Sequence, residues 1–392
     1  MTSKRMSKAE RSSLDIISTL PEPVLETILC LLPTKAAART SILSREWRYK
    51  WTKISKLEFF VPMRKTIEKQ LQRCTPFNDL LQVLLSHKGL IHGFSLLMNQ
   101  STPHQDFFGF DQVVLHLLKN HAVKKLKLYG LDSFRWHKLP ISIFSLHHLT
   151  DLNLSCFVLD HEPNNGFGDL RSLSLSNVGI STKTLLHLLS NSPSLKSLTL
   201  FIGKSHLGGK DCTVIELFKC LPMIECLTTF GYVIEWLVLK SVPQRLPTLL
   251  FHLKYFCFEN MWFADGRGLA FLLVLIKCSP NLEKIKLEIN FFKYYYVEYP
   301  VVWEQYSDVW LEHLNELEII RFSNSKHEIE FVKFILARSP KLSEVNLRSM
   351  GCEKERLEML QDLLQAPRAS RNLCLRVPST VCRILDFSRV LL

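Results

Sequence analysis

The stretch LLSNSPSLKSLTL, Leu188 to Leu200, joins an apolar helical run, a Ser-Pro break and the template L-x-x-L-x-L, and its recurrence decides the fold. The same order returns in IKCSPNLEKIKL (Ile276 to Leu287) and in LARSPKLSEVNL (Leu336 to Leu347). Proline cannot continue a helix, and it pushes the residue before it toward extended backbone. The pair therefore predicts a sharp helix stop just ahead of a strand. The template also stands at Val123–Leu128, Leu149–Leu154, Leu170–Leu175, Leu253–Phe258 and Leu314–Ile319, with a degraded copy, IECLTT, at Ile224–Thr229. Successive starts lie 26, 21, 25, 29, 29, 29, 32 and 28 residues apart.

Those steps fall at the upper end of leucine-rich-repeat periods. In a strand, alternate side chains point to opposite faces, so Leu198 and Leu200 point into a core while Ser197 and Thr199 point out. One such unit cannot bury its leucines alone. Stacked neighbours build a continuous core and a parallel sheet on one curved face. The expected fold class is thus an α/β solenoid, a curved leucine-rich-repeat array. Its outward strand positions include Asp151, Asn153, Ser172, Ser174, Cys257, Glu259, Glu316, Glu318, Glu344, Asn346 and Arg348. The candidates for touching a target protein are Lys125, Lys127, Tyr129, Ser197, Thr199, Phe201, Tyr255, Lys284 and Lys286. The lysine pairs Lys125/Lys127 and Lys284/Lys286 are expected to attract an acidic or phosphorylated segment through charge-assisted hydrogen bonds. A further aromatic cluster, Phe291 to Trp303, reads either as a loop presenting Tyr294, Tyr295, Tyr296 and Trp303 or as a strand with a packed insertion.

The N-terminal segment has another pattern. Pro21 and Pro23 open a helical run with Val24, Leu25, Ile28, Leu29 and Leu32 on one face, and Pro33 ends it. Thr34 can cap a second helix, in which Ala36, Ala37 and Ala38 permit close approach. Ser44 can cap a third, carrying Trp47 and Trp51 four residues apart. About 40 residues in three short helices is too little for a robust independent core, so apolar surface should remain for a partner.

Composition narrows the remaining classes. Of 392 residues, 47% are hydrophobic, enough for a large core, and the net charge of +12 is diffuse. Its densest tract, Lys4, Arg5, Lys8 and Arg11, sits in a polar tail. A basic stripe for nucleic acid is not expected, because Glu259, Glu288, Glu316, Glu318 and Glu344 interrupt the outward face. The eleven cysteines include no Cys-x-x-Cys pair, and several lie in apolar runs, which points to free thiols, no metal and a reducing compartment. The first residues lack an apolar core, and the longest apolar run, Leu269 to Ile276, is far short of a membrane span. The protein is therefore expected in cytoplasm or nucleus, without membrane contact. No phosphate loop, dinucleotide fingerprint, nucleophile elbow or His-Glu-x-x-His motif occurs, so neither catalysis nor a cofactor is expected. Gly208-Gly209-Lys210 lacks the rest of a phosphate loop and reads as a turn.

The segment from Asp15 to Trp51, with Leu20-Pro21, Ile28/Leu29/Leu32-Pro33 and Arg39 to Arg48, resembles an F-box of the plant form. FVKFILARSPKLSEVNL followed by LLQAPRAS (Leu363 to Ser370) is similar to the FBD region that follows repeats in plant F-box/FBD/LRR-repeat proteins. The resemblance implies a basic tail over 1–13, a three-helix F-box over 14–55 and a linker with irregular first repeats over 56–120. Leucine-rich repeats then fill 121–313, FBD-like C-terminal repeats 314–375 and a tail 376–392. It implies a non-catalytic substrate receptor of an SCF-type ubiquitin ligase. Its F-box would dock a Skp-type adaptor and, through it, cullin and RING subunits. Carried over by motif, Leu20, Pro21, Val24, Ile28, Leu32 and Pro33 would meet the adaptor, while Trp47 and Trp51 would brace the F-box. The alternative is a repeat scaffold without ubiquitin transfer. Nothing in the resemblance names the target.

Overall fold

The structure is a computed structural model that describes residues 17, 19–61, 76–98, 107–120, 122–130, 137–160, 167–202, 207–208, 214–231, 233, 242–261, 263, 267–290 and 301–378. The chain divides into two compact units, Met1–Cys156 and Phe157–Leu392.

The first unit opens with α1 (Glu22–Cys30) and α2 (Thr34–Arg39), followed by a 3-10 segment, Trp47–Lys53. Four parallel strands come next, β1 (Lys56–Val61), β2 (Gly93–Met98), β3 (Lys125–Gly130) and β4 (Asp151–Ser155), neighbouring one another in that order. Helices α3 (Pro76–Ser86) and α4 (Phe107–Asn120) cross between successive strands. Register puts Leu57, Phe94, Leu126 and Leu152 in one row, each at most 2% exposed. Two of these strands, β1 and β2, fall in the stretch that the sequence reads as linker and irregular first repeats.

The helical head is bonded straight onto these strands. Buried Thr34 accepts the Glu58 N–H through its Oγ1 at 2.6 Å. The Thr52 carbonyl accepts from the Lys88 and Gly89 N–H groups at 2.8 and 3.1 Å, and the Ser55 carbonyl from His92 and Gly93 at 2.8 and 3.0 Å. Gly89 is needed for this approach: a Cβ there would lie 2.6 Å from the Lys53 carbonyl oxygen, which is backbone and cannot swing aside.

In the second unit eight parallel strands follow one another: β5 (Ser172–Ser176), β6 (Ser197–Phe201), β7 (Cys226–Phe230), β8 (Tyr255–Met261), β9 (Lys284–Ile289), β10 (Glu316–Phe322), β11 (Glu344–Ser349) and β12 (Cys374–Arg376). Leu173, Leu198, Leu227, Phe256, Ile285, Leu317 and Val345 share one register row, and none is more than 3% exposed. The crossovers include α5 (Thr182–Ser190), α6 (Val214–Lys219), α7 (Arg267–Lys277), α8 (Lys326–Arg338) and α9 (Glu353–Gln365). Three short strands, Phe157–Leu159, Gly179–Ser181 and Leu207–Gly208, pair in a separate small sheet. Every residue of α7 from Leu269 to Ile276 is buried, and Phe271 stacks on Phe258 with ring centres 6.2 Å apart.

The Ser-Pro mark has a specific backbone task. The Leu195, Leu282 and Leu342 N–H groups donate to the carbonyls of Ser192, Ser279 and Ser339 at 3.1, 3.3 and 3.3 Å. Each Ser-Pro-x-Leu is thus a four-residue turn with proline at its second position, where a fixed φ suits it. The serine hydroxyls are buried. Ser192 and Ser279 donate to the carbonyls of Leu188 and Leu275, four residues back, at 2.9 and 2.7 Å. The third, Ser339 Oγ, is buried without a partner among the described residues.

Gly89→Ala is expected to lower stability by about 1–3 kcal/mol, because the added methyl must push backbone apart. An unchanged urea midpoint would show that the head does not press on the strands there.

Candidate functional site

The head is apolar on two sides. Helix α1 starts after Pro21, whose φ and ψ of −55° and 143° are extended, and Pro23 sits in its first turn. Leu25 and Leu29 are buried and share the small core with Ala37, Trp47 and Ile54. Val24 (42% exposed), Ile28 (39%), Leu31 (80%) and Leu32 (37%) face outward. The reading that put Val24, Leu25, Ile28, Leu29 and Leu32 on one face is therefore corrected. Residues one apart on a helix sit about 100° apart, so 24/28 and 25/29 form two stripes, and only one can turn inward. Pro21 and Pro33 are exposed and Leu20 is half-buried. Ile42 and Leu43 add a second exposed apolar pair at 83% and 66%. The sequence reading missed Leu31, Ile42 and Leu43. The available signal was a surplus of aliphatic residues over what so small a core can cover.

Trp47 lies inside, with its backbone N–H donating to Ser44 Oγ at 3.4 Å and the Lys50 ammonium 5.6 Å from its ring centre. Trp51 is half-buried beside it in the 3-10 segment.

The outward strand face varies along the repeats. On β3, Lys125 and Lys127 are exposed and Tyr129 is half-buried. On β5 and β6, Ser172, Ser174, Ser197, Thr199 and Phe201 are all half-buried and uncharged. Phe201 meets Phe230 of β7 edge to face, with ring centres 6.1 Å apart. Cys257, expected outward and open, is in fact 3% exposed. Burial pushes its thiol up to about 11, and burial likewise raises the hydroxyl of half-buried Tyr255. Its register partners are Thr228 and Lys286. Burial also pushes the Glu259 carboxyl up, helped by the charge of Glu288.

From β9 onward the face is a ladder of ion pairs. Lys284 pairs with Glu316 at 2.6 Å and Lys286 with Glu318 at 3.1 Å, each directly across the register. Glu318 takes a second cation, Arg348, at 2.7 Å, and is 7% exposed. Arg376 pairs with Glu344 at 3.0 Å and Arg321 with Glu288 at 2.7 Å. The expectation that Lys284 and Lys286 attract an acidic segment is corrected accordingly. Their charges are already matched by carboxylates on the next strand.

Trp303 packs inward. Its Nε1 donates to Glu330 Oε2 at 3.3 Å and its ring lies 5.4 Å from that of Phe334. The other residues of its cluster, Tyr294, Tyr295 and Tyr296, lie outside the described residues, as do the basic tail and Gly209-Lys210. Among the described residues no group of three His, Cys, Asp or Glu side chains could hold a metal ion. No described helix is long and apolar enough to cross a membrane.

Comparison with known proteins agrees with this geometry. The F-box domain family model matches residues 17–59. The model described as FBD-associated F-box protein At5g56370, LRR repeats, matches 112–252, and the FBD model matches 310–347. The chain is 28% identical to the F-box/FBD/LRR-repeat protein At1g13570 of Arabidopsis thaliana, over 91% of this chain and 96% of that protein. It is 24% identical to the putative FBD-associated F-box protein At1g55030 of the same plant, over 92% and 97%. A third Arabidopsis relative, the F-box/FBD/LRR-repeat protein At3g26920, is 29% identical over 51% of this chain and 45% of its own length.

Glu318→Gln is expected to cost about 1–3 kcal/mol, less than a fully buried pair, because Lys286 and Arg348 keep 31% and 47% side-chain exposure. Glu344→Gln, whose pair with Arg376 is open, is expected to cost under about 1 kcal/mol. Equal urea midpoints for the two variants would refute the clamp at Glu318.

Proposed function

We propose that this F-box, LRR and FBD protein is the substrate-recognition subunit of an SCF-type ubiquitin ligase. Its F-box docks a Skp-type adaptor and, through it, the cullin and RING subunits. Its repeats hold the target protein, and the chemistry of ubiquitin transfer belongs to other subunits. The observation that carries this reading is the outward apolar stripe Val24, Ile28, Leu31 and Leu32, with Ile42 and Leu43, on a head whose core is already filled by Leu25 and Leu29. Contiguous apolar surface of that kind marks a protein interface. Leu20, Pro21 and Pro33 flank the stripe at the two ends of α1. Buried Cys257 and Cys278 are free thiols, which suits a reducing cytoplasm or nucleus.

Because Val24 and Ile28 face outward, Val24→Asp with Ile28→Asp should leave the melting temperature near wild type. It should weaken binding to a purified Skp-type adaptor by at least about 30-fold, the cost of losing one interface hot spot. Leu25→Asp, by contrast, should unfold the head. Full adaptor binding by the folded double variant would end the proposal.

A further inference from the structure

Within Met1–Cys156, the outward face of β1, β2 and β3 forms a trough. Its floor is Ser95 of β2; the Lys56 side chain lies over Gly93, its Cγ 3.4 Å from where a Cβ would stand. Register sets Lys56, Glu58 and Phe60 along one side and Lys125, Lys127 and Tyr129 along the other. Leu97 lies in the same row as Phe60 and Tyr129 and makes one end apolar, and Phe60 is 56% exposed there.

The charges on the two sides are not equivalent. Lys56 and Glu58 neutralise each other at 2.7 Å. Across the trough, the carboxylate paired with Lys125, that of Asp151, is 3.9 Å away. Lys127 stands in register between Ser95 and Asn153, both uncharged, and makes no ion pair among the described residues. Lys284, Lys286, Arg348 and Arg376 of the other unit each have a carboxylate within 3.1 Å. Among the described strand-face cations, Lys127 of β3 is thus the one without an ion pair.

We propose that this trough takes an extended acidic segment of the target, with a carboxylate against Lys127 and a bulky apolar side chain two residues along against Phe60, Leu97 and Tyr129. The inference rests on the reading that the repeats hold a target. An extended segment rises about 3.3 Å per residue, so its residues i and i+2 face the same way about 6.7 Å apart. That is the spacing of Lys127 and Tyr129 along their own strand. Strand β2 already has a hydrogen-bonded neighbour on each side, so a guest lying over it cannot pair backbone to backbone. Recognition must come from side chains: charge at one point and apolar burial at the next.

The test uses the full chain bound to its purified Skp-type adaptor and a displayed library of random 12-residue peptides. Enriched peptides should be net negative, with an acid two residues from an aromatic or long aliphatic residue. A labelled peptide of that kind should bind Lys127→Glu, Lys127→Met and Tyr129→Ala each about tenfold or more weakly, the cost of a charge-assisted bond or an anchor. Its affinity should fall with added salt and should be unchanged by Lys284→Ala with Lys286→Ala. Melting temperatures of the variants report whether each is folded. Enrichment of neutral or basic peptides, no enrichment, undiminished binding to folded Lys127→Met, or a requirement for phosphoserine would each overturn the inference. Adaptor capture is read in the same preparation. A chain that holds the adaptor but selects no acidic peptide loses this inference alone, whereas one that fails to hold the adaptor loses the ligase reading.

Discussion

Parallel pairing in strict register is the constraint on which the rest of the molecule depends. A strand alternates its side chains with a period of two, so a slip of one residue would turn every core leucine to solvent. The buried row from Leu173 to Val345 leaves no such freedom. Once the apolar rows are fixed, the positions between them are fixed too. Lys284 must then stand beside Glu316, and Lys286 beside Glu318. The ion-pair ladder is a consequence of where the leucines have to go.

The repeats are legible in the sequence because their signals are local. Helix, Ser-Pro turn and strand follow within about a dozen residues, and the turn bonds from Ser192, Ser279 and Ser339 explain why the mark is locked to the template. The F-box was legible through its proline and leucine spacing. The two stripes of α1 were not separated, because five apolar residues in nine do not say which pair turns inward. That depends on Ala37, Trp47 and Ile54, which arrive later in the chain. The burial of Cys257 depends on side chains of neighbouring strands in the same way. The ladder was in fact within reach: superposing LEKIKL on LNELEI puts Lys284 and Lys286 against Glu316 and Glu318. Reading each strand alone made those lysines look free.

The head and the first strands are one piece of architecture. Two carbonyls, of Thr52 and Ser55, each accept two N–H groups from the 88–93 segment, and Thr34 bonds into β1. Apolar residues on either side of the join, Ile54 and Leu57, are buried. In this unit the outward apolar stripe of the head and the outward face of β1 to β3 are therefore carried on a single packed body. The two surfaces thereby keep a fixed direction to one another.

Glu318 serves two cations on two different strands, and this sets what removal of a repeat would cost. Deleting the repeat that carries β10 would set Lys284 against Glu344 and Arg348 against Glu288, but Lys286 against Asn346. Of these three cations Lys286 alone would lose its acid, so the tie across β9 to β11 runs through Glu318. Strands β5 and β6, whose outward positions are hydroxyls and a phenylalanine, carry no such debt to their neighbours. Substitution at those positions breaks no ion pair among the described residues.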